Sequence, residues 1–103
     1  MIVLLRHPLV RAGISDAVNW HEDQQSGLEL EFAADFLIHH RHLVRNAQLY
    51  GVRFGNVRRL NLDRFPYGLF YIIRDSEIWL LGVLHASRDN ETILAERRRH
   101  FRN

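Results

Sequence analysis

The segment 56–89, NVRRLNLDRFPYGLFYIIRDSEIWLLGVLHASRD, decides the fold. It divides into three strand-like runs, Val57 to Leu62, Tyr67 to Arg74 and Ile78 to His85, and Asp75-Ser76 supplies the turn signal between the last two. In the third run Ile78, Leu80 and Leu84 alternate with Trp79, Leu81 and Val83, so both faces are apolar. That pattern belongs to a strand covered on both sides or set in a sheet's centre. Pro66 marks a kink or edge between the first two runs, and Phe65 and Tyr67 beside it read as core and rim aromatics. Tyr67 and Tyr71 fall on the same face of their strand.

Upstream, Ile2 to Leu5 is a short apolar run that hands over to a helix at Pro8, where a missing backbone N–H costs nothing. From Leu9 to Gln25, residues Leu9, Gly13, Ala17 and Trp20 or His21 recur at helical spacing and predict the buried face. Ser26-Gly27 ends that helix. A second follows with Leu28, Phe32, Phe36, His39 and Leu43 on one face, flanked by Ala33, Leu37, His40 and Val44. So short a turn forces the two helices into an antiparallel hairpin with a joint apolar face for the sheet. Asn46 to Gly55 reads as a loop punctuated by Gly51 and Gly55. Downstream, Asn90 is a helix cap, and Glu91 to Arg102 has acids early and arginines late, as the helix dipole prefers. The predicted fold class is α+β, ordered β-α-α-β-β-β with a short C-terminal helix, in one domain spanning residues 1–103.

Composition bounds the function classes. A chain of 103 residues with 47% hydrophobic and 25% charged residues suits one folded core and favours neither a disordered nor a membrane class. It has no cysteine, so disulfides and cysteine-ligated zinc are excluded and a cytoplasmic setting is compatible. MIVLLR reads as a first strand rather than a signal peptide, and no apolar run approaches the roughly 18 residues of a membrane helix. No membrane partner is expected. Residues 1–51 carry four arginines and six acids, whereas residues 52–103 carry ten arginines and six acids, so the basic face belongs to the second half. All 14 basic residues are arginine, which restricts anion contacts to the guanidinium fork.

The order of strand, helix hairpin and antiparallel meander, with Arg58-Arg59, Phe65-Pro66-Tyr67, Tyr71, His85 and Arg88-Asp89 at their strand positions, resembles the RelE/ParE toxin superfamily. The likeness is strongest to its ParE-like, plasmid-stabilisation branch. It implies the toxin of a type II toxin–antitoxin pair, held inert in a hetero-oligomer with a cognate antitoxin. Two mechanisms share that fold: the ParE branch binds DNA gyrase without chemistry of its own, and the RelE branch cleaves mRNA on the ribosome. A third reading is a degenerate, non-toxic binding module.

Cleavage through a 2′-hydroxyl needs a general base, a general acid and cations on the phosphate within hydrogen-bond reach. The candidates are His85, Arg58, Arg59, Arg64 and Arg88. Against catalysis, the nuclease branch carries an arginine directly after the aromatic that matches Tyr67, and here Gly68 stands there. The branch's lysines are absent too. The expectation is therefore an inhibitor that binds gyrase, needs no cofactor, and meets antitoxin or target through Arg58, Arg59, Tyr67, Tyr71, His85, Arg88, Arg97, Arg98 and Arg99. Most have a plain alternative: a surface ion pair for Arg58 or Arg59, a hydrogen-bonded core-edge histidine for His85, a turn-fixing pair with a loop carboxylate for Arg88, a solvated helix end for Arg97 to Arg99. His39 and His42, three apart on a helix, invite a metal reading, but no carboxylate or further histidine has a paired spacing nearby, so no metal is expected.

Overall fold

The computed structural model describes residues 3–86 and 90–101, so Arg88-Asp89 of the meander motif and Arg102 of the basic end lie outside the described residues. The elements run β1 (Val3–Arg6), α1 (Leu9–Gln24), α2 (Leu28–Asn46), β2 (Val52–Phe54), β3 (Val57–Asn61), β4 (Tyr67–Arg74), β5 (Glu77–His85) and α3 (Asn90–His100). The five strands form one sheet in the order β1-β5-β4-β3-β2, with β1 parallel to β5 and the other pairs antiparallel. This is the expected α+β architecture with one addition. The loop predicted from Asn46 to Gly55 contains a single 3-10 turn at Ala47–Leu49 and the edge strand β2. Strand periodicity could not reveal β2, because it has three residues and none is buried. Its turn into β3 is Gly55-Asn56, and Gly55 takes a φ of +52°, which a side chain would resist.

The meander alternates as its sequence dictates. Leu69 and Tyr71 of β4 join the core shared with α1 and α2, where Val10, Phe32, Leu43 and Leu80 are also fully buried. Phe70 and Ile72 point the other way, to a second core with Val57, Leu81, Leu84 and Leu94 of α3. Strand β5 is thus covered on both faces, by α1 and by α3, as its double apolar pattern predicts. Each of these large side chains contributes roughly 1.5–3 kcal/mol by leaving water. Gly27 holds a φ of +91° at the start of α2, the left-handed geometry that lets the hairpin turn so tightly.

The expected face of α2 is buried at Phe32, Phe36, His39 and Leu43, while α1 and the flanks of α2 differ from the sequence reading. On α1 the buried residues among those described are Val10 and Ala17, the latter on the expected face, whereas Leu9 and Trp20 are 51% and 55% exposed; His21, also expected on that face, lies outside the described side chains. Val10, Ile14 and Val18 offer a second apolar series one residue round the helix, and packing on β5 selects it. On α2 Asp35 is buried while Ala33 and Leu37 are exposed, because Asp35 Oδ2 accepts the Arg64 backbone N–H at 2.9 Å and ties the β3–β4 loop to the helix. Among the described residues, no helix is long and apolar enough to cross a membrane.

Candidate functional site

Tyr67 and His85 face each other across β4 and β5, with ring centroids 5.1 Å apart in an edge-on arrangement. Tyr67 also stands edge-on to Phe32 at 5.2 Å, which fixes its ring. Strand β1 pairs with β5 only as far as Leu80, and α1 takes over beside the second half of β5. The handover leaves a groove of about 480 Å³, lined by Tyr67, Val83 and His85 and flanked by the exposed Leu9 and Trp20. Asp16 and Arg97 bring one charge of each sign to its wall. An apolar groove with two aromatic walls and sparse charge suits a segment of another protein. Leu9 and Trp20 have the helical spacing of a core face yet line this groove, because periodicity does not distinguish a buried apolar face from an exposed one.

Most of the arginines singled out from sequence hold the fold together. Arg58 and Tyr71 are cross-strand partners, and both reach the C-terminal end of α2. Arg58 Nη1 donates to Tyr50 O at 2.7 Å and Gln48 O at 3.2 Å, while the Tyr71 hydroxyl donates to Ala47 O at 2.5 Å. Three carbonyls of the segment 47–50 that follows α2 are thereby satisfied. Burial pushes the Tyr71 hydroxyl up to about 12, against the Arg58 charge and with a smaller contribution from Tyr50. Arg97 Nη1 donates at 3.1 Å to Leu81 O, at the bulge where β5 carries an extra residue opposite Phe70 and Tyr71. Arg98 Nη1 donates to Asn56 Oδ1 at 2.9 Å and clamps the β2–β3 turn. Only Arg99 of that triplet is exposed. Arg64 pairs with Glu31 at 3.2 Å on the surface.

Arg59 has a different setting. It lies 5.1 Å over the Phe70 ring and donates to Asn61 Oδ1. A Cβ at Gly68 would stand 2.8 Å from Arg59 Nε, so the Arg59 side chain fills the space that Gly68 leaves. Burial first, then the Arg53 charge, push Arg59 below the usual arginine range, though it stays charged. Arg59 packs on the α3 side of the sheet with Phe70, whereas His85 packs on the α1 side with Tyr67. Arg59 thus lies on the face opposite His85, whereas Arg58 shares the His85 face, Arg59 and Arg64 line a hollow with Asp63 and Tyr67 at the β3–β4 loop, and Arg88 lies outside the described residues.

One further cluster escaped the sequence reading. His39 is buried, its Nδ1 lies 3.0 Å from Asp35 Oδ1 and 2.8 Å from Asp35 O, and its Nε2 lies 3.4 Å from Asp63 Oδ1. Contrary to the sequence reading, Asp35 four residues earlier on α2 is a paired carboxylate for His39, whereas Asp63 comes from the β3–β4 loop, where helical spacing gives no sign of it.

No family model and no curated protein matches the chain significantly. Among solved structures, a chain described as "Chromosomal ParDE TA system from P. aeruginosa" superposes with a TM-score of 0.70 at 21% sequence identity, covering 84% of this chain and 98% of that one. In its strand, helix hairpin, antiparallel sheet and C-terminal helix, this chain shares the fold of that chain.

Proposed function

We propose that this protein is the toxin of a type II toxin–antitoxin pair and that it acts by binding a target protein, DNA gyrase being the expected target. The family assignment rests on the architecture shared with a chain of a ParDE system. The mechanism is supported by one observation: Arg59 fills the space at Gly68 on the sheet face opposite His85, so the cation nearest the position of the missing nuclease arginine does not share a face with the histidine. Binding energy from an apolar groove with a few charges is what inhibition without chemistry requires. The groove beside Tyr67 and His85, with Leu9 and Trp20 on its rim, is the surface we assign to partner recognition, with the exposed Arg99 offering a contact for acids on the antitoxin.

Induced expression of the chain alone should arrest growth, and co-expression of the protein encoded beside it should restore growth. Unimpaired growth at good protein levels would instead support a degenerate binding module. Trp20→Ala should weaken toxicity or antitoxin binding by more than its effect on the melting temperature accounts for. His85→Ala separates the mechanisms: a ribosome-dependent nuclease loses its toxicity with the fold intact, whereas a gyrase-binding toxin retains most of it.

A further inference from the structure

We propose that His39, Asp63 and His42 form a divalent transition-metal site, zinc being the best match, which locks the β3–β4 loop onto α2. The spacing of the existing atoms is the first argument. A direct hydrogen bond between an imidazolium and a carboxylate closes to about 2.8 Å. The gap from His39 Nε2 to Asp63 Oδ1 is 3.4 Å. Two ligand atoms about 2.1 Å from one tetrahedral ion stand roughly 3.4 Å apart, so the two side chains are set at the edge length of a zinc site.

The second argument is orientation. His39 is 4% exposed, and its Nδ1 is held by both the backbone carbonyl and the carboxylate of Asp35. With the Nδ1 proton committed to Asp35, the Nε2 lone pair points at Asp63, the arrangement in which a carboxylate fixes the tautomer of a metal-binding histidine. Asp35 is itself anchored, since its other oxygen accepts the Arg64 N–H at 2.9 Å. It acts as a positioning residue. His42 lies one helical turn beyond His39, with ring centroids 5.8 Å apart, and its exposed ring can rotate to supply a third nitrogen. The fourth position is left to water. Imidazole and carboxylate together select zinc over calcium or magnesium, which prefer all-oxygen shells.

The site does not depend on the toxin reading. Zinc chloride titrated into the tag-free full chain should bind one equivalent with micromolar affinity and raise the melting temperature. Cobalt(II) should give the visible absorption of a tetrahedral site. Asp63 is 83% exposed, so Asp63→Asn should fold as the wild type does and lose at least about tenfold in zinc affinity, with His42→Ala behaving alike. Failure of the wild-type chain to bind zinc, or equal affinity in Asp63→Asn or His42→Ala, would overturn the proposal.

Discussion

Replacing Arg58 with alanine should destabilise the protein by about 2–3 kcal/mol. The guanidinium makes a part-buried hydrogen bond of 2.7 Å to Tyr50 O and a more exposed one of 3.2 Å to Gln48 O. Hydrogen bonds from a charged donor contribute about 1.5–3 kcal/mol each, and the second is discounted for its exposure. A cation at the C-terminal end of α2 adds roughly 0.3–1 kcal/mol through the helix dipole. In a domain of this size about 4–5 °C is lost per kcal/mol, so the melting temperature should fall by about 10 °C. Arg58→Lys keeps the charge but loses the fork, and should recover about half. Tyr71→Phe strands the Ala47 carbonyl and should cost about 1–3 kcal/mol. The double variant should cost less than the two separately, because both side chains hold one short segment. Urea titration monitored by tryptophan fluorescence gives these values directly, with an unchanged slope as the check on two-state behaviour. Since the folded-state pKa of Tyr71 is raised from 10.0 to about 12, its contribution should be complete below pH 10 and disappear as pH rises towards 12, an alkaline loss that Tyr71→Phe removes. Stability of Arg58→Ala within about 0.5 kcal/mol of wild type, together with lost toxicity, would refute the cap and make Arg58 a contact residue.

Two other perturbations follow from the same geometry. Arg97→Ala strands the Leu81 carbonyl at the bulge, should cost about 1–3 kcal/mol, and should speed hydrogen exchange in α3 before the sheet; uniform exchange rates would contradict the clamp. His40 accepts from Arg6 at 3.1 Å, and burial, then the Arg6 charge, hold its pKa below 6.5. The unfolded chain therefore takes up this proton first, so stability should be complete above about pH 6.5 and fall as the pH drops towards the folded-state value. His40→Gln should flatten that part of the acid limb, and an identical limb in the variant would count against it.

The legible part of the sequence was the meander. Its three runs appear as β3, β4 and β5 because period-2 alternation against two covered faces leaves a strong signal in residues such as Phe70, Tyr71 and Leu81. Less could be read where meaning depends on a distant element. Leu9 and Trp20 have the spacing of core residues, and only the seating of α1 on β5 turns them outward. Arg58, Arg97 and Arg98 look like a basic recognition surface until their carbonyl and amide partners are known, and those partners lie 8 to 42 residues away. Gly68 was legible as a missing side chain, but not as the space that Arg59 occupies. His39 gave only half of its cluster, since Asp63 enters from a loop.

The central claim is that the molecule poisons a protein target without catalysing a reaction. Purified toxin, DNA gyrase and relaxed plasmid, with ribosomes and mRNA in a parallel reaction, put the two mechanisms side by side. The account predicts blocked supercoiling or trapped cleaved DNA with gyrase and intact mRNA, with His85→Ala at most weakening the gyrase effect and leaving mRNA intact. Cut mRNA on the ribosome, gyrase unaffected, and loss of the cutting in His85→Ala would contradict it.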